Sequence, residues 1–66
     1  MSTYILKAYA VMSDTVDTTV FRTLNGAKDF GNWVKFDQGD KNVEIAEKYI
    51  ECPVINGTVY IPENVL

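Results

Sequence analysis

Histidine is absent, cysteine occurs once, as Cys52, and only six basic residues are present: Lys7, Arg22, Lys28, Lys35, Lys41 and Lys48. Each scarcity excludes something. Without imidazole or a second thiol, the usual zinc, haem and copper sites have no ligand set and no disulfide forms within the chain, so neither a cofactor nor a metal is expected. There is no histidine base, no nucleophile elbow, no Gly-x-x-x-x-Gly-Lys phosphate loop and no Cys-x-x-Cys pair, and the expectation is a protein that is not an enzyme. The apolar runs fall far short of the roughly 20 residues that a membrane-spanning helix needs. Met1-Ser2-Thr3-Tyr4 puts no basic residue ahead of an apolar run, and Lys7 interrupts the first such run, the wrong order for a secretory signal. A cytoplasmic protein with no membrane partner is expected. The scattered bases form no stripe, so nucleic acid is not the expected partner.

What is present is a chain of 66 residues with 47% hydrophobic and 23% charged residues and a net charge of −3. That describes one small domain spanning residues 1–66. A chain this short buries only about 60% of the surface its unfolded form exposes. Its core is thin, and a protein partner or a homodimer is a natural way to complete it. Asp14, Asp17, Asp37 and Asp40 fall in or beside two turn-rich stretches and would give one region of the surface a negative character.

Alternation over Thr3–Met12 predicts a strand with Tyr4, Leu6, Ala8, Ala10 and Met12 on one side and Ile5, Lys7, Tyr9 and Val11 on the other. Both sides are mostly apolar, which suits the middle of a sheet. Ser13–Asp17 reads as a hairpin connection, and the β-branched and aromatic residues of Asp17–Leu24 read as the second strand. From Asn25, a candidate cap, the period becomes helical, with Ala27, Phe30, Trp33 and Val34 on one side. Gly26 and Gly31 weaken that helix, and 32–36 is compatible with either helix or strand. After Asp40, placed as an N-cap, Val43, Ile45, Ala46, Tyr49 and Ile50 share one arc, opposed by Lys41, Glu44, Glu47, Lys48 and Glu51; this predicts a second helix ended by Pro53. Asn56-Gly57 between Val54-Ile55 and Thr58-Val59 predicts a two-residue β-hairpin. The expected fold is α+β, order β-β-α-α-β-β: two β-hairpins forming one antiparallel sheet, with both helices packed on the face carrying Leu6, Ala8, Ala10 and Met12. The opposite face, with Ile5, Tyr9, Val11, Ile55 and Tyr60, is too apolar to lie wholly in water.

Candidate functional residues follow by elimination. Cys52 reads as a buried structural thiol, and Asp37–Glu44 departs from a calcium loop because Gly39 stands where the third ligand belongs. Trp33 and Phe36 are aromatics of the kind that anchor interfaces. With Asp14, Asp17, Asp37 and Asp40 they form the candidate partner-binding set. In size, its Met1-Ser2 start, its acidity and its compact order of elements, the chain resembles the small accessory proteins that bacteriophages use to bind and inhibit host or defence proteins. That resemblance implies an inhibitor, in one variant with the four aspartates standing in for nucleic-acid phosphates. The alternatives are a sheet-surface binder of single-stranded nucleic acid, stacking bases on Tyr4, Tyr9, Phe21 and Tyr60, or a structural homo-oligomeric subunit.

Overall fold

A computed structural model describes residues 2–66. The described residues form one four-stranded antiparallel sheet and one helix: β1 Ser2–Met12, β2 Thr19–Phe21, α1 Leu24–Asp37, β3 Glu44–Ile55 and β4 Thr58–Val59, with sheet order β2-β1-β3-β4. The α+β class and the single antiparallel sheet match the expectation; the second helix does not exist. Its residues belong to β3, which runs beside β1 from Ser2 opposite Val54 to Met12 opposite Glu44. The spacing of Glu44, Glu47, Lys48 and Glu51 imitates a helix surface. The long apolar β1 decides the matter, because its alternate residues from Ser2 to Met12 direct their backbone groups away from β2 and β3 supplies their partners. Glu44 and Lys48 consequently make no helical pair, and the ion pair on this ribbon is instead Lys7 Nζ to Glu47 Oε1 at 3.3 Å, across the strands.

One helix suffices for topological reasons. β2 and β3 both lie antiparallel to β1 and are therefore parallel to each other, so their connection must travel back the length of a strand. α1 makes that return. Its N-cap is Thr23, not Asn25: Thr23 Oγ1 accepts the Gly26 N–H at 3.1 Å. Residues 32–36 are helical throughout.

The helix buries Ala27, Gly31 and Val34. A Cβ at Gly31 would sit 3.5 Å from Val43 Cγ1, 3.7 Å from Ile45 Cδ1 and 4.0 Å from Val11 Cγ1. Val11 and Ile45 are opposed in the ladder. α1 therefore packs on the Tyr9/Val11 face, correcting the expectation that helices cover the Leu6/Ala8/Ala10/Met12 face. That second face is closed differently. β4 lies on one edge of the sheet, while Val65 bridges Val20 on the other, with Leu66 N–H donating to the Val20 carbonyl and Arg22 N–H to that of Leu66, both at 2.8 Å. Residues 60–64 must cross the sheet to join the two edges, with Ile61 and Pro62 half-buried and Val65 buried. Ala8, Ala10 and Cys52, on the face that α1 leaves open, are fully buried.

The distances at Gly31 are ordinary van der Waals contacts, so a methyl group fits. Gly31→Ala is expected to raise stability by about 0.5–1 kcal/mol through helix propensity and a less flexible unfolded chain. At Gly26 a Cβ would crowd Thr23 Oγ1 at 3.1 Å and Phe21 Cδ1 at 3.3 Å, against the capping bond. Gly26→Ala should bring no gain. Urea titrations of the two variants check the contrast, and equal midpoints would contradict the helix placement.

The C-terminal hairpin follows the sequence reading: Val54 opposes Val59, Ile55 opposes Thr58, and Tyr60 N–H donates to the Pro53 carbonyl at 3.0 Å. Asn56 and Gly57 take φ of 52° and 80°, the pair of positive angles that a two-residue type I′ turn requires.

Candidate interaction surface

Two ends of the molecule differ in character, and the difference is one of length. β3, with 12 residues at about 3.3 Å each, spans about 40 Å, whereas α1, with 14 residues at about 1.5 Å each, spans about 21 Å. The molecule measures 45 × 16 × 13 Å. The helix covers only one half of its own face, and the remainder of the β1/β3 ribbon is bare on that side.

At the helix end, α1 stops at Asp37 and Gly39 turns the chain at φ 69°, letting Asp40 N–H donate to the Val34 carbonyl at 3.3 Å. Asp40 caps no helix. It is 5% exposed, and its carboxylate binds the loop between β1 and β2. Oδ2 accepts from Asp14 N–H at 2.9 Å, Thr15 N–H at 3.0 Å and Thr15 Oγ1 at 3.0 Å, while Oδ1 accepts from Asn42 N–H at 2.8 Å. Asn42 Nδ2 then donates to Asp14 Oδ2 at 2.6 Å. The converging donors, the Asn42 N–H foremost, hold the Asp40 carboxyl below its ordinary range, against the partial opposition of its desolvation.

Of the residues singled out from sequence, Asp14 and Asp40 come together in this knot, where Asp40 is spent on structure and turned away from solvent. Asp17 is exposed in the β1–β2 loop and Asp37 at the helix terminus. Phe36 is 74% exposed, with Lys35 Nζ 5.8 Å from its ring centroid. Trp33 is partly exposed beside Phe30, at 5.6 Å between centroids, and Phe30 continues the stack to Phe21 at 5.3 Å. Cys52 is free and buried. No cluster of histidine, cysteine or carboxylate side chains able to hold a metal occurs among the described residues. No helix among them is long and apolar enough to cross a membrane.

The bare half of the ribbon carries residues outside the candidate partner-binding set; of them Tyr60 was named as a binding residue only in the nucleic-acid alternative, and Tyr49 was expected on a second helix. Ladder partners point to one side, so Ile5, Lys7, Tyr49, Pro53, Ile55 and Tyr60 share the α1 face. Ile5, Ile55 and Tyr60 are each about half exposed, and Tyr49 is 67% exposed. Glu51, opposite Ile5, and the Lys7–Glu47 pair add charge to this strip. The available signal was the excess of apolar residues on both sides of the first strand, which called for more cover than one short helix supplies.

Two open depressions lie at the helix end. One, of 340 Å³, runs between α1 and the start of β3 and is lined by Lys28, Gly31, Asn32, Lys35, Val43 and Ile45; the other, of 230 Å³, is lined by Met12, Ser13, Asp14, Asn42 and Glu44. Asp14 and Glu44 bring two carboxylates to the second, and Asp40, bonded to Asp14 and Asn42, accepts four hydrogen bonds. No family model, no curated protein and no solved structure matches this chain.

Proposed function

We propose that this chain is a non-enzymatic binding protein that docks on a protein partner and blocks or modulates it, using the uncovered side of its long ribbon. The observation that carries the reading is that Ile5, Ile55 and Tyr60 are each about half exposed on one sheet face beyond the reach of α1. Apolar and aromatic side chains held on a rigid ladder lose little entropy on docking and release much area from water, which is how interface anchors act. Glu47 and Glu51 on the same strip disfavour nucleic acid there, because phosphates would meet carboxylates. Trp33 and Phe36, with Asp37 beyond them and Asp14 and Asp17 on the neighbouring loop, form a separate exposed set that the sequence favoured as the docking site.

Capture from lysate of the native cell separates the two surfaces. The double variant Ile5→Ser, Tyr60→Ser should lose the partner while keeping its circular dichroism spectrum, and Trp33→Ala, Phe36→Ala should retain it. The reverse pattern would move the site to the helix. Retention by both variants, or capture that collapses steeply with salt, would overturn the reading.

A further inference from the structure

We propose that the chain pairs with a second copy of itself along the open edge of β3, in the antiparallel register that places Ala46 on a twofold axis, joining two four-stranded sheets into one of eight strands. The inference rests on the edge and not on the docking face just described.

β3 has β1 along one side from Glu44 to Val54, but among the described residues β4 covers its other side only at Val54, Ile55 and, through the Tyr60 bond, Pro53. In an antiparallel ladder the N–H and C=O of one residue point the same way, and alternate residues point to opposite neighbours. The Pro53 carbonyl points to β4, so Glu51, Tyr49, Glu47 and Ile45 direct their backbone groups off the same, open edge. Such a row is a template for another strand.

Charge selects both occupant and register. When β3 meets a copy of itself about a twofold axis, centring on Glu47 opposes two glutamates, centring on Lys48 opposes two lysines, and centring on Tyr49 sets Glu47 against Glu51 twice. Centring on Ile45 or on Ile50 opposes no like charges but brings no opposite charges together either. Centring on Ala46 also opposes no like charges. It places Glu44 across from the partner's Lys48, and by symmetry repeats that pair, with a small side chain at the axis. On the α1 face the same register sets Val43 across from the partner's Tyr49. Val43 and Ile45 line the 340 Å³ depression flanked by Lys28 and Lys35. The exposed Tyr49 of the ribbon thus arrives at the recess walled by Val43 and Ile45, and Glu47 of the partner subunit arrives, across from Ile45, on the side of those two lysines. One arrangement accounts for the open edge, the recess and the exposure of Tyr49.

Sedimentation equilibrium of the full chain, with variants at exposed positions that leave the monomer intact, tests the register. The wild type is expected to dimerise in the micromolar range. Lys48→Glu should weaken the dimer at least about tenfold by opposing Glu44 to glutamate twice, and Glu44→Lys should do likewise by opposing lysines. An equimolar mixture of the two single variants should restore a dimer, because every cross-strand pair is again complementary. Tyr49→Ala should also weaken association. A wild type that stays monomeric at high micromolar concentration, or a dimer indifferent to the single reversals and unaffected by mixing, would overturn the proposal.

Discussion

Asp40→Ala is expected to lower the melting temperature at neutral pH by on the order of 10 °C. The carboxylate accepts from three backbone N–H groups and one hydroxyl, and two of those backbone donors, Asp14 and Thr15, lie in the β1–β2 loop while the acceptor lies after α1. Truncation leaves four donors without a partner in a part-buried place and releases the loop from the helix terminus. Asp40→Asn keeps the shape and one acceptor oxygen, so its loss should be smaller. The sign of the pH dependence follows from the direction of the shift. A carboxyl whose folded value lies below its unfolded value contributes fully above the unfolded value, near pH 4, and loses that contribution as pH falls through the folded value. The gap in melting temperature between wild type and Asp40→Asn should therefore be constant from pH 5 to 7 and narrow below about pH 4. Thermal melts followed by circular dichroism across that range check both statements. A melting point for Asp40→Ala within about 2 °C of the wild type would remove the knot from any role in stability.

Asp40 also shows how far local chemistry reads and where it stops. An aspartate just before a new element was expected to accept nearby backbone N–H groups, and Asn42 N–H does donate to it. Its other donors come from residues 25 and 26 positions earlier in the chain, which no window of sequence brings into view. The elements that were legible are those whose cause is local. The Asn56-Gly57 turn follows from two positive φ angles, β1 from its alternation and α1 from its apolar stripe. β3 was illegible for a nonlocal reason: its charges repeat at three- and four-residue spacings, while the partner that forces extension, β1, lies more than thirty residues away in sequence at every pairing. Signals to the contrary were present in Val43, Ile45, Tyr49 and Ile50, a β-branched and aromatic set that a strand favours over a helix. The candidate site fared similarly. Phe36, absent from the helix's apolar stripe in the sequence, is exposed, whereas the exposure of Ile5, Ile55 and Tyr60 depended on knowing that one helix, not two, covers the sheet.

Proline substitution along β3 should split by residue parity, and this is the largest effect the architecture predicts. Lys48 and Ile50 oppose Ala8 and Leu6 and direct their N–H groups into the β1 ladder; Glu47 and Tyr49 direct theirs off the open edge. Lys48→Pro deletes a ladder bond and leaves the carbonyl of fully buried Ala8 without its donor. The cost is roughly 3 kcal/mol, comparable with the about 3–5 kcal/mol that a domain of this size has in total. Lys48→Pro and Ile50→Pro are expected to be unfolded at 25 °C. Glu47→Pro and Tyr49→Pro lose edge donors but no ladder bond, as Pro53 already does two positions beyond Glu51, and with only the exposed Lys7 pair given up besides at Glu47 both should keep the wild-type circular dichroism spectrum in dilute solution. Those two would also be blocked from pairing with a second copy along this edge. A helix over residues 41–51 would be broken by proline at all four positions alike, so uniform unfolding would reject β3 as a strand. Survival of Lys48→Pro with loss of Glu47→Pro would place the open edge on the wrong side of the ladder.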